Sequence, residues 1–290
     1  MKLQNCIANS LSAAFAQAAN RRARHLAVSL LSFLTPLPSF LPLLTPTPSP
    51  IYIPFVARDA SCAASGESYG LIDVDGSYYK DNRLTDENAD LRLSVLGYTD
   101  TVAPLALVDY DGDTDPDAPQ FAAMFEPAGV PTFTHAFQRF DWAWDESGAP
   151  PYGARNGVNH DWPVSALEMQ TTAGAPLHPP ARGAQIGGGF VAMVLYAGPR
   201  EITLAYFRQD GVVDGYVVYL HGLCVDPALV EAYRAQIVDG RRATGRLPAV
   251  ANGQRLGIAD AGVVTLAVRD RGTFLDPRSR KDWWQEPPSR

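Results

Sequence analysis

The chain has 290 residues, 46% of them apolar, and a net charge of −7. That length and apolar content exclude a disordered polymer and leave room for two domains or one elaborated domain. The acidic balance, with an isoelectric point near 5.2, excludes a nucleic-acid-binding surface of clustered lysine and arginine.

At the N-terminus, Arg21, Arg22, Arg24 and His25 precede an apolar run over 26–34, which Thr35-Pro36-Leu37-Pro38 interrupts. A secretory signal needs only ~7–15 apolar residues behind a basic patch, whereas a spanning helix needs about 20. The run therefore reads as an export signal. A retained membrane anchor reaching Leu44 is the alternative, and Pro36, Pro38 and Pro42 oppose it. The long stretch ahead of Arg21 points to a translation start downstream of Met1. Thr45-Pro46-Thr47-Pro48-Ser49-Pro50 reads as an extended spacer. The expected organisation is a signal or anchor with spacer over 1–50, a β-rich region over 51–150 and a second β-domain over 151–290. The expected location is secreted or cell-surface. There Cys62 and Cys224 would form one disulfide, with two unrelated buried thiols as the other reading.

Over 51–150, short alternating runs predict strands at 91–96, 105–108 and 132–137. Turn residues recur roughly every ten positions, the pattern of an antiparallel sandwich or barrel. One helical turn or two is expected over 118–125. In the second half, strands are expected over 190–196, 201–207, 216–220 and 263–269. Gly187-Gly188-Gly189 precedes a strand, so it reads as a tight turn and not as a phosphate-binding helix start. Asp226 followed by Pro227 opens a helix expected to run to about Val238 and stop at Gly240. The fold class is mostly β with one inserted helix.

Several pieces of the second half occur in a familiar order. Glu168 is followed by Gly174-Ala175-Pro176-Leu177 and then Gly183. Gly215-Tyr216 leads through an apolar run into His221, and Ala251-Asn252-Gly253-Gln254-Arg255-Leu256-Gly257 comes next. The series closes with a strand from Val263 through Thr265 to Arg269, a turn, and Asp276-Pro277. Over 164–277 this resembles the M23, lysostaphin-type zinc endopeptidases of the cell wall. The resemblance implies their duplicated hybrid-motif β-domain and a groove lined by His160, Asp161, Trp162, Glu168, His221 and Thr265.

The chemistry departs from that family. A catalytic zinc needs about three nitrogen or oxygen donors and an open position. Where the family has its metal-binding histidines, this chain has Val164, Val263 and Thr265, and Glu168 stands for the aspartate. His221 falls one residue short of the family's mid-chain histidine, an offset that predicts the opposite face of the strand. The resemblance thus implies a pseudoenzyme without zinc that binds cell-wall glycan or peptide, or regulates a wall hydrolase. The rival is an active extracytoplasmic hydrolase. It would use either zinc on relocated ligands (His160, Glu168, His221) or a carboxylate pair from Asp141, Asp145, Asp161 and Glu168.

Two further clusters stand out. Asp109, Asp111, Asp113, Asp115 and Asp117 alternate through a Gly-containing loop. This is either an oxygen-rich calcium loop or a solvated acidic turn. Trp142 and Trp144 beside Asp141 and Asp145, like Trp162 beside Asp161, suit either sugar stacking or core packing. The terminal stretch with Trp283-Trp284 would clamp onto the body or serve as a docking tail.

Overall fold

The computed structural model describes residues 62–76 and 81–285. The expected signal and spacer lie outside the described residues. Strands β1 (Gly70–Asp73), β2 (Tyr98–Asp100), β3 (Phe133–Trp144), β4 (Gly153–Val158) and β5 (Ala166–Gln170) come first, with a short helix α1 (Leu93–Leu96) ahead of β2. Next come β6 (Pro176–Leu177), β7 (Ala192–Ala197), β8 (Glu201–Ala205), β9 (Tyr216–His221), β10 (Leu223–Val225) and helix α2 (Pro227–Arg234). β11 (Ile237–Val238), β12 (Arg241–Arg242), β13 (Arg246–Val250), β14 (Gly257–Ala259), β15 (Val263–Asp270) and β16 (Thr273–Leu275) follow, then α3 (Arg280–Trp283).

The protein is mostly β, as its alternation predicts. An eleven-stranded sheet runs β1-β13-β7-β8-β9-β15-β5-β3-β2, with β16 added to β15 and β4 to β3. Strands from both sides of residue 150 share it, since β3 pairs with β5. A second sheet runs β10-β14-β6. The central strands β7 and β8 are buried along their whole length; β7 is apolar nearly throughout, whereas β8 alternates apolar residues with the buried polar Glu201 and Thr203. In β9 and β15 the two faces differ. Val218, Leu220, Val264, Leu266 and Val268 form one apolar face, whereas the other face carries His221, Thr265 and Arg269 beside the buried Val217, Tyr219 and Ala267.

The C-terminal stretch clamps onto the body. Trp283 stacks on Phe121 at 5.3 Å and meets Tyr216 edge-on at 5.6 Å, while Trp284 packs on Phe133 at 5.6 Å. Both indole N–H groups are satisfied by backbone carbonyls, of Asp276 and Pro277 respectively. Buried indoles need such acceptors.

Three local expectations are corrected. The strand expected at 91–96 is instead the turn of helix α1. Leu93 and Leu96 are buried three residues apart, a helical repeat that a run this short cannot distinguish from alternation. Residues 105–108 form no strand: Leu105 is exposed and Val108 makes only an isolated bridge to Ser279. The helical turn expected over 118–125 is present, as a 3-10 turn over Phe121–Met124. Helix α2 ends at Arg234, and Ile237–Val238 then pairs with Arg241–Arg242 as a hairpin. Its two linking residues, Asp239 (φ 49°) and Gly240 (φ 74°), both take positive φ. Asp-Gly is a strong signal for such a turn, so Gly240 closes a hairpin and not the helix.

The Gly triplet makes the expected tight turn, with Phe190 N–H donating to Gly187 O at 3.0 Å. Gly257 is required for a different reason. A Cβ there would lie 2.1 Å from the Cys224 carbonyl oxygen, because β14 and β10 approach backbone to backbone.

Asp226 caps α2 as its sequence position predicts. Its carboxylate accepts from Ala228 N–H and also from Ser65 N–H, each at 2.8 Å. Burial pushes this carboxyl up, but the Ser65 and Ala228 hydrogen bonds outweigh it and the net shift is downward. A carboxylate lowered on folding adds stability above its unfolded value, about 3.9, and loses it in more acid solution. Asp226→Ala is expected to cost about 1–2 kcal/mol at neutral pH. Urea melts should show that gap shrinking below about pH 4.

Cys62 and Cys224 form the expected disulfide, with Cα atoms 5.3 Å apart across a sequence separation of 162. Among the described residues, no helix is long and apolar enough to cross a membrane.

Candidate functional site

Register places a single polar row across five strands. His135 lies opposite Glu168, Glu168 opposite Thr265, Thr265 opposite His221 and His221 opposite Glu201. Directly opposed residues share a face, so all five side chains project to one side of the sheet. The structure therefore brings together three of the residues singled out by sequence, Glu168, Thr265 and His221. His221 corrects an expectation. Counting from Gly215 turned it to the opposite face, but strand pairing, which fixes the face, sets it beside Thr265.

Each member is already engaged. Glu168 Oε1 accepts from the Thr134 hydroxyl and lies 2.7 Å from His135 Nδ1. Neighbouring residues normally point to opposite faces. The register shift between Phe133 and His135 lets both reach one carboxylate, as a bulge does. At the other end, buried Glu201 accepts from Arg92 Nε at 2.6 Å and from the Ser94 hydroxyl at 2.8 Å. That pair fastens α1 over the row.

Tyr98 closes the middle. Its hydroxyl and His221 Nδ1 share a hydrogen bond of 3.0 Å, and its ring packs on Phe137 at 4.8 Å. Tyr98 belongs to β2, four strands from β9 along the sheet path. In a flat sheet that separation would be about 19 Å, at roughly 4.8 Å per strand. The sheet is therefore curled, and its edge folds back over the row. Burial raises the Tyr98 hydroxyl pKa, with the Glu168 and Glu201 charges adding to the rise against an opposing contact from Thr265. Tyr98 thus stays a neutral hydrogen-bonding group.

Farther along the same face, the groups bind the protein's own chain. The Thr203 hydroxyl donates to Leu91 O at 2.6 Å, and the Tyr219 hydroxyl donates to Asp90 O at 2.7 Å. Arg269 Nη1 donates to Asp90 Oδ1 at 2.9 Å. The segment from Asp90 to Tyr98 thus fills that part of the face, leaving the side with His135 and Glu168 exposed or half-exposed.

The other expected groove residues lie apart from the row's hydrogen bonds. His160 is exposed. Asp161 is tied to Asn159, whose amide donates to both Asp161 and Asp141, with Arg139 beside them. Trp162 packs edge-on against Tyr110 at 5.4 Å. Trp142 and Trp144 pack on each other, and Trp144 carries the Arg83 guanidinium 3.6 Å above its ring.

Among the described residues, no three His, Cys, Asp or Glu side chains gather closely enough to hold a metal ion. The relocated zinc set of His160, Glu168 and His221 does not assemble. The aspartate loop does not fit calcium either, because Asp109, Asp111, Asp113 and Asp115 do not converge. Asp109 pairs with Arg280 at 2.8 Å, and Lys281 donates to the Asp113 carbonyl at 2.7 Å. Asp115 accepts from the Tyr216 hydroxyl at 2.6 Å, which holds its carboxyl below the ordinary range. The loop is fastened to α3 and β9.

Sequence reasoning missed His135, Thr134, Tyr98 and Glu201. A histidine and a threonine in a predicted strand carry no signal of their own, and only the fold shows that they meet Glu168. No protein-family model matches the chain, and no curated protein sequence matches it.

Proposed function

We propose that this is an exported, non-catalytic relative of the M23 peptidases that binds cell-wall glycan or peptide through the His135–Glu168–Thr265–His221 row. The observation that carries this reading is the register. The residues that the resemblance sets at metal-binding positions, Glu168 and Thr265, are direct cross-strand partners with His221 next to them. Their chemistry is that of hydrogen bonding. A threonine hydroxyl is a poor zinc ligand, and Glu168 is committed to Thr134 and His135. The exposed imidazole of His135 and the half-exposed Glu168 and His221 offer donors and acceptors to a polar polymer. The disulfide supports an oxidising, extracytoplasmic setting.

The test is sedimentation of the protein with purified peptidoglycan, alongside turnover assays with and without chelator. Binding without turnover is expected. Glu168→Gln with His135→Ala should weaken it roughly tenfold, the loss of one or two charge-assisted hydrogen bonds. Chelator-sensitive turnover, or undiminished binding by a folded double variant, would overturn the reading.

A further inference from the structure

On the side where α3 meets the aspartate loop lies a small cavity of about 130 Å³, lined by Tyr110, Asp111, Trp162, Asp276, Lys281 and Asp282 among others. Its volume is room for about four waters, at about 30 Å³ each. That is far below the ~300–1,000 Å³ of sites that enclose a whole drug-sized molecule. A small head group fits.

The floor is fixed. Asp276, Ser279 and Trp283 are each 2% exposed. The Asp276 carboxylate accepts from Arg278 through both oxygens and from the Tyr110 hydroxyl at 2.8 Å. Asp282 accepts from Ser279 and faces Lys281 at 3.4 Å. The Asp276 and Asp282 charges are therefore matched by Arg278 and Lys281. Asp111 is left at the rim with no hydrogen bond or ion pair among the described residues. Tyr110 and Trp162 are half-buried and supply the aromatic walls.

We propose that this cavity binds a small organic ammonium group through the rings of Tyr110 and Trp162 and the charge of Asp111. Aromatic faces attract ammonium cations, and the attraction grows where water is excluded. One unmatched carboxylate beside two rings suits a single positive charge. The shared chemistry is a primary ammonium, carried either by a free amine or by a lysine-like side chain of a peptide. This site is separate from the polar row and does not depend on its proposed role.

The test is titration with n-butylammonium, followed by indole N–H signals and Trp fluorescence, with n-butanol as the neutral control. Saturable binding of the amine is expected, with at least roughly tenfold weaker response to the alcohol. Asp111→Asn should weaken amine binding about fivefold. Trp162→Ala should abolish it, whereas Trp162→Phe, which keeps an aromatic face, should retain most of it. A lysine peptide and its ε-acetylated form then separate the sources: preference for the free lysine form points to a peptide, and binding of butylammonium alone points to a small amine. An equal response to alcohol and amine would overturn the proposal. So would unchanged affinity in Asp111→Asn, or an absence of saturation in the folded wild type. Saturation only after Lys281→Met would show that the protein's own ammonium fills the cavity, and would also overturn it.

Discussion

Arg278→Met is expected to lower the unfolding free energy by about 3–5 kcal/mol. Arg278 and Asp276, two residues apart in the C-terminal stretch, form a buried ion pair with side chains only 3% and 1% exposed, and the Tyr110 hydroxyl ties Asp276 to the body. The guanidinium donates from Nε to Asp276 Oδ1 at 3.0 Å and from Nη2 to Oδ2 at 2.7 Å. Its third arm reaches Pro104 O at 2.7 Å. This two-point geometry is specific to arginine. Burial would otherwise lower the Arg278 pKa, but Asp276 more than compensates and the net shift is upward. Methionine would keep the volume of the stem and strand a carboxylate in the interior, where desolvation is expensive.

The double variant Arg278→Met/Asp276→Leu separates this cause from lost packing. Replacing both charges by apolar groups removes the stranded charge, so much of the loss should return. Differential scanning calorimetry should register the single variant as a fall in Tm of roughly 10 °C, at about 2–4 °C per kcal/mol for a body of this size. A single variant melting within about 2 °C of wild type would mean that the pair contributes nothing net. A double variant no better than the single would shift the cause to packing.

Legibility of the sequence followed the range of the forces involved. The strands at β3, β7, β8, β9 and β15 were readable because apolar patterning along a strand is local. The N-cap at Asp226 was readable for the same reason, since its capping bond to Ala228 lies within two residues. Leu93 and Leu96 were misread because a four-residue helix leaves too short a period. Asp239-Gly240 was misread because a helix stop and a hairpin turn use the same residues, and only the partner strand decides. The polar row was half legible. Glu168, Thr265 and His221 could be picked out through resemblance, but the face of His221 depends on pairing with Thr265 and Glu201. Tyr98 could not be picked out at all, because its contact with His221 spans 123 residues and exists only once the sheet has curled. The aspartate loop shows the reverse problem. Its spacing suggested a cation, whereas the positive charges that meet it are Arg280 and Lys281, some 170 residues later.

The second large effect concerns the disulfide. Replacing Cys62 and Cys224 by serine is expected to cost about 2–5 kcal/mol. The link closes a loop of separation 162, and an open chain of that size has many conformations that the cross-link forbids. In the folded state the same segment is held by other means as well. Ser65 N–H donates to Asp226, the Tyr69 hydroxyl to Arg255 O and the Gln254 amide to Ser68 O. The native fold should therefore survive, with most of the effect in the unfolded chain. That location has a signature in urea unfolding. Freeing the unfolded chain exposes more surface, so the m-value should rise as the midpoint falls. Wild-type protein unfolded with thiol reductant should reproduce both changes. A lower midpoint with an unchanged m-value would instead place the loss in the folded state, as local fraying of residues 62–69. A midpoint that does not move would leave the cross-link without a stabilising role.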